Sequence, residues 1–223
     1  MSYIVSINGT DGSGKTTQIN LLQKYSNSQS VYFTPDISAY NVFPNLSEKE
    51  FFNWWFFDSD IEEFCKAIYT GIKCRDEDIK SHNKSVVVID KGIDTFESRI
   101  IANFICRGMK KSDIIFKMSE IKDKLNIKDN EDLKILLLTD SDIEKRMNIV
   151  KSRRVTSYGQ SYYDKYQYIL NEVLQEQINT NCYNIINASK SIDEVNQLII
   201  NEMKSGFVEK NKKIKINVEK ERF

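Results

Sequence analysis

The stretch G-T-D-G-S-G-K-T-T occupies residues 9–17, directly after the apolar run Tyr3-Ile4-Val5-Ser6-Ile7. Gly9, Gly14, Lys15 and Thr16 stand at the spacing G-x-x-x-x-G-K-T. A strand that ends in such a turn and runs straight into a helix points several backbone N–H groups into one hollow. The hollow lies at the positive end of the helix dipole and suits a polyphosphate. Lys15 is expected to reach the β- and γ-phosphates of ATP, and the Thr16 hydroxyl to hold Mg²⁺. The expected ATP site comprises Gly9, Asp11, Gly12, Ser13, Gly14, Lys15, Thr16 and Thr17. β-Branched residues before the loop and Gln18-Ile19-Asn20-Leu21-Leu22 after it supply the strand and the helix. Asp11 is the anomaly, because it puts a carboxylate inside a loop built for anions.

Outward from this loop, apolar runs and helical patterns alternate. Strands are expected at 3–8, 30–34, 85–90, 133–139 and 182–186. Val86-Val87-Val88-Ile89 and Ile135-Leu136-Leu137-Leu138 are continuous apolar runs, as strands covered on both faces require. Helices are expected at 15–26, 46–57, 61–80, 95–107, 112–124, 140–151, 162–179 and 192–204. This order implies an α/β fold with a five-stranded parallel sheet flanked by helices. Ligands then gather at the carboxyl ends of the strands, where Gly9, Thr34-Pro35-Asp36, Asp90-Lys91 and Asp140 meet.

A chain of 223 residues can bury one such core. Lys+Arg and Asp+Glu both total 32, so no global basic field favours nucleic acid. One domain is expected over 1–204, followed by a charged tail over 205–223. The tail reads as a solvated extension, with a short edge strand through 213–218 as the alternative. No secretory signal or membrane span is expected. Cys65, Cys74, Cys106 and Cys182 form no C-x-x-C and suit a reducing cytoplasm. His82 is the single histidine, which argues against a His/Cys metal cluster.

The second landmark is Val86-Val87-Val88-Ile89-Asp90-Lys91-Gly92. Asp90 closes a buried strand, where an unpaired carboxylate is costly. It suits Mg²⁺ together with Thr16, or alternatively caps the next helix, as Asp94 also can. INGTDGSGKTTQINLLQ together with VVVIDKGIDTFES resembles thymidylate kinases and related nucleoside monophosphate kinases of the P-loop class. That family reads G-x-D-G-x-G-K-T-T-Q in the loop and D-R-Y-x-x-S after the third strand. The resemblance, over about residues 3–204, implies a P-loop kinase fold with a short lid at about 151–161. It implies ATP and Mg²⁺ as cofactors, small nucleotides as partners and a homodimer, with neither nucleic acid nor membrane involved. It further implies that Asp11 accepts a hydrogen bond from the sugar 3′-hydroxyl of the acceptor nucleotide. The alternative is that Asp11 pairs with Lys15 or Lys91.

Arg146 and Lys151-Ser152-Arg153-Arg154 resemble the family's E-R-x-x-x-R segment leading into the lid. The resemblance implies that Arg153 or Arg154 acts beside Lys15 and Asp90 in catalysis, stabilising charge on the transferring phosphoryl group. Tyr162, Tyr166 and Ile169 fall at helical spacing and suit a core.

The chain departs from the family where the acceptor is read. Thr34-Pro35-Asp36 replaces T-R-E-P, and Asp90-Lys91-Gly92 replaces D-R-Y. The base-reading arginine falls near Tyr69, with Arg75 the nearest arginine, and the ring of A-Y-Q falls near Arg99. Asp36, Lys91, Arg75 and Arg99 are therefore the acceptor-site candidates beside Asp11. Phe51-Phe52-Asn53-Trp54-Trp55-Phe56-Phe57 can stack a flat base, pack a core or form a dimer face.

The expected activity is phosphoryl transfer from ATP to a deoxynucleoside monophosphate. A deoxynucleoside kinase is the alternative, with Asp36 as its base, because the Glu such enzymes carry is replaced by Thr34. A weakened kinase that only binds nucleotide is a third reading. A guanine-specific switch is not supported, since Asn83-Lys84-Ser85-Val86 lacks the aspartate of N-K-x-D.

Overall fold

The computed structural model describes residues 2–26, 30–138, 159–178 and 183–220. Its strands are β1 (Tyr3–Asn8), β2 (Val31–Phe33), β3 (Val86–Asp90), β4 (Leu133–Leu138) and β5 (Tyr183–Asn187). Its helices are α1 (Lys15–Tyr25), α2 (Glu48–Asn53), α3 (Ile61–His82), α4 (Ile93–Cys106), α5 (Lys111–Lys124), α6 (Gln160–Ile178) and α7 (Ile192–Lys220). The strands form one parallel sheet in the order β2-β3-β1-β4-β5. The helix expected over 140–151 lies outside the described residues.

Register fixes the working edge. Ile7 stands beside Asp90 and Asn8 beside Leu136, so the loop after β1, the end of β3 and the end of β4 open on one side. β1 is flanked by both β3 and β4, which makes its carboxyl end the crevice where the crossovers diverge.

The strands are apolar on both faces because helices cover both. Val5, Ile7, Val88, Ile135 and Leu137 pack with Leu22 of α1 and Val195 and Ile199 of α7. On the opposite face, Val87 and Ile89 meet Ile79 of α3. Each fully buried Ile or Val contributes about 1.5–3 kcal/mol of transfer free energy, so these rows alone specify the register. Among the described residues, no helix is long and apolar enough to cross a membrane.

The helix expected over 46–57 divides in two. Ser47 and Glu50 close a capping box that starts α2, and the chain then widens into a π turn over Trp54–Asp58. The Trp54 carbonyl accepts from both the backbone N–H (3.2 Å) and the hydroxyl (2.7 Å) of Ser59. The aromatic run therefore serves two clusters. Trp54 packs with Phe64 and Phe104, whereas Phe56 packs with Tyr166 and Leu170.

The boundary expected at 204 is not a break, since α7 continues to Lys220. Phe207 sits edge-to-face on Tyr3 at 5.7 Å. Lys210 donates to the Ser2 carbonyl (2.9 Å) and to Asp132 (2.7 Å). Lys and Glu are good helix formers, so the composition read as a solvated tail also propagates a helix.

Asp94 does not cap α4. It accepts from Lys134 (2.6 Å) and Tyr183 (3.2 Å), and Gly92 takes the N-cap position. The cap is supplied from 38 residues away by Glu131, which accepts from the Ile93 N–H at 2.7 Å. A Cβ on Gly92 would strike the Glu131 carboxylate, so a side chain there displaces the group that caps α4. Gly92→Ala should therefore cost about 1–3 kcal/mol in urea unfolding. The double variant with Glu131→Ala should lose less than the two single losses summed. Strict additivity would show that the two positions do not contend for the same space.

Candidate active site

The loop after β1 takes its shape from left-handed glycines. Gly9, Gly12 and Gly14 have φ of 141°, 82° and 89°, which side chains rarely adopt. At Gly9 a Cβ would also meet the Leu137 carbonyl at 2.8 Å, so β4 holds the loop from beneath. Gly14 is the N-cap of α1, and Gln18 N–H donates to its carbonyl at 3.0 Å. Lys15 is buried and folds back to donate to the Thr10 carbonyl at 2.8 Å. Thr16 and Thr17 are exposed on the first turn of α1, and the Ser13 hydroxyl is buried without a partner among the described residues. Burial pushes the Lys15 ammonium down to about 8, against the opposing pull of the Asp11 carboxylate.

Asp11 pairs with neither Lys15 nor Lys91. Its Oδ1 accepts from Arg99 Nη2 at 2.5 Å, and its Oδ2 accepts from the Tyr163 hydroxyl (2.7 Å) and Gln167 Nε2 (2.9 Å). Burial works against this carboxylate, but Arg99, Lys15 and the Tyr163 hydroxyl outweigh it and hold the group well below the usual range. The Asp11 side chain is 28% exposed and that of Arg99 11%. Both carboxylate oxygens are thus engaged before any sugar arrives. Tyr163 and Gln167 were not among the candidates. The helical spacing of Tyr162 and Tyr166 drew attention to the core face of α6, and Tyr163 lies on the adjoining one. Tyr166 is buried, as its spacing implied.

At the end of β3, Lys91 turns back with φ 63°. Its ammonium reaches Asp36 at 2.7 Å and Asp90 at 3.2 Å. Arg75 is buried and donates from Nη1 to the Lys91 carbonyl at 3.0 Å, so it braces this turn. Burial works against the Asp36 carboxylate, yet Lys91 and Ser38 outweigh it and lower its pKa to about 2. Asp90 Oδ1 is buried and has no partner among the described residues. Asn8, not singled out by sequence, accepts from the Gly92 N–H and the Thr95 hydroxyl, both at 2.8 Å.

Beside the loop lies a cavity of about 600 Å³. Phe51, Phe52, Trp55 and Phe56 line it from the aromatic run, and Arg99, Tyr163 and Tyr166 line it from α4 and α6. Asp11 bonds two of these lining residues, so the phosphate loop and the cavity share a wall. Gly159 has φ 65°, and a Cβ there would strike the Phe52 ring. Tyr69, where the resemblance would put a base-reading arginine, is fully buried and donates to Glu97 at 3.2 Å. Arg146, Arg153 and Arg154 lie outside the described residues. A larger cavity of about 820 Å³ lies at the opposite edge of the sheet, between Ile4, Ile79 and 125–132. Its Asp132 is engaged by Lys210 and its Asp129 by Lys134, and no phosphate loop adjoins it.

No family model matches the chain, and no curated protein matches it. Solved structures do match. The thymidylate kinase from Candida albicans superposes with a TM-score of 0.60 at 17% identity, over 92% of this chain and 93% of that one. The fold is a P-loop kinase fold. The deoxyadenosine kinase from M. mycoides, with the products dCMP and a flexible dCDP bound, matches at 0.59 and 16%, over 91% of this chain and 99% of that one. The same protein with bound dATP matches at 0.60 and 15%. At such identities the likeness is one of fold.

The state of Lys15 yields a pH test. With its pKa near 8 rather than the ordinary 10.5, the free folded protein sheds this proton before the unfolded chain does. Stability of the unliganded protein should consequently rise as pH increases through that window. A polyphosphate favours the ammonium, so its binding at pH 9 should take up protons. Calorimetry in buffers of different ionisation heat should show that uptake with the native protein and none with Lys15→Met. Equal heats in all buffers would remove Lys15 from the titrating groups.

Proposed function

We propose that the chain transfers the terminal phosphoryl group of ATP to a deoxynucleoside monophosphate, as thymidylate kinases do. The observation that carries this reading is the shared wall. Asp11 belongs to the phosphate loop, and its partners Arg99 and Tyr163 belong to the aromatic cavity. Donor and acceptor would thus meet across one residue, the proximity that phosphoryl transfer needs.

The loop N–H groups and Lys15 would bind the donor phosphates. Thr16 and Asp90 would hold Mg²⁺, and the buried Oδ1 of Asp90, which has no partner among the described residues, fits that use. When bound, Mg²⁺ neutralises phosphate charge and orients the oxygens. Arg153 and Arg154 would add guanidinium charge when the acceptor and donor are in place.

The state of Asp36 favours a phosphate acceptor over a nucleoside hydroxyl. A hydroxyl must lose its proton to a base, and bases work best with a pKa near the operating pH. Asp36 is ion-paired to Lys91, with its pKa lowered to about 2. An anionic phosphate needs no such base.

An assay of ADP release with a panel of nucleoside monophosphates and nucleosides tests the proposal directly. Turnover is expected with monophosphates and is expected to vanish in Lys15→Ala. Turnover confined to nucleosides would favour the nucleoside kinase, and binding without turnover a nucleotide-binding protein. Asp90→Asn should raise the Mg²⁺ requirement sharply. Alanine at both Arg153 and Arg154 should lower kcat with little change in KM, because such charge acts in the transition state. An unchanged kcat would place the catalytic cation elsewhere.

A further inference from the structure

The segment that carries Asp36 is lightly built. β2 is an edge strand of three residues paired to β3, and a 3₁₀ turn over Ile37–Tyr40 follows it. Strand pairing alone gives so short an edge little hold. α3 supplies the rest. Gly71 lets the turn approach closely, since a Cβ there would meet Ile37 Cβ at 3.0 Å and Val42 Cγ2 at 3.1 Å. Asp78 stands about two helical turns further on, along the same face of α3. Its Oδ2 accepts from the Tyr32 hydroxyl at 2.5 Å and from the Tyr40 hydroxyl at 2.8 Å. One carboxylate oxygen thus holds the segment on both sides of Asp36. The His82 ring stacks on Tyr32 at 3.7 Å and 12°, and its Nδ1 lies 3.4 Å from Asp78 Oδ1. Burial and the bond to Asp78 push the Tyr32 hydroxyl up to about 12 and raise that of Tyr40 as well. Both therefore remain donors at neutral pH.

We propose that Asp78 is a positioning residue of the acceptor site, acting through Asp36 on the Lys91 ammonium. Asp36 holds that ammonium at 2.7 Å, and Asp90 engages it at 3.2 Å. An ammonium has three N–H donors, so the direction of the third is set by the two so engaged. An anionic phosphate oxygen at the end of β3 would take it in a charge-assisted bond. Where Asp36 stands decides where that donor points, and the two tyrosines on Asp78 decide where Asp36 stands. The inference rests on the acceptor reading above, with Lys91 at the acceptor phosphate, and adds to it a residue that stands behind the contact.

The test joins steady-state kinetics to hydrogen exchange over residues 31–42. The substrates are ATP and the fastest-turning of dTMP, dCMP, dGMP and dAMP. Asp78→Ala should lower kcat/KM for the monophosphate about tenfold, mainly through its KM, and leave KM for ATP unchanged. Asp78→Asn keeps an oxygen that can accept from both hydroxyls and should recover most of that loss. Tyr32→Phe with Tyr40→Phe should match Asp78→Ala, and adding Asp78→Ala to that pair should cost little more. The same tyrosine pair carries the comparison if Asp78→Ala does not fold. Exchange over 31–42 should quicken in each weakened variant and stay native over α1. A lowered melting temperature with the monophosphate KM unmoved, an equal rise in KM for ATP, or native exchange over 31–42 would overturn the positioning role alone. Absence of turnover with every monophosphate in the native protein would sink the acceptor reading and this inference together.

Discussion

A partly buried carboxylate in a glycine loop at a helix N-terminus is tenable only when another charge holds it, and in this protein that charge comes from α4. The 2.5 Å contact between Asp11 and Arg99 turns the anomaly of the loop into its anchor. Because the second oxygen of Asp11 is bound by Tyr163 and Gln167, the loop is tied to α6 as well. α4 and α6 in turn pack through Ala102, Tyr166 and Leu170. The conformation of the loop is therefore supported by tertiary contacts as well as by its glycines.

Among the described residues the charges around the loop balance. Asp11, Asp36 and Asp90 face Arg99, Lys91 and Lys15, and three ion pairs join all of them except Lys15. A polyphosphate entering the site proposed above would meet backbone dipoles and a buried ammonium rather than a large excess of positive charge. Such a site gains specificity from geometry, since an anion that fails to reach the N–H groups finds little net attraction.

Much of the fold can be read from local pattern. β3 and the last four residues of β4 hold continuous apolar runs, and the glycine spacing of the loop demands the left-handed turns that the structure contains. The places of Lys15 and Thr16 at the start of α1 and of Asp90 at the end of β3 were legible for the same reason, because they follow from neighbours in sequence. What escaped depends on distance along the chain. Arg99 lies 88 residues from Asp11 and Gln167 lies 156, so no local spacing could join them. Glu131 fills the space beside Gly92 from the approach to β4, a neighbour that only packing reveals. The end of α7 was misjudged because charge composition describes solvation and helix propensity at once. The arginines expected in the lid lie outside the described residues.

The π turn at Trp54–Asp58 places one surplus residue in the wall of the aromatic cavity. An α-helix turns about 100° per residue, so removing that surplus would rotate every ring before it relative to every ring after it. Phe51 and Phe52 would then face differently from Phe56, and the two clusters they join would no longer be served by one segment. The cavity's shape is accordingly a matter of residue count more than residue type. Deleting that residue with every aromatic kept would enclose a different volume, a more abrupt change than any single substitution in the wall.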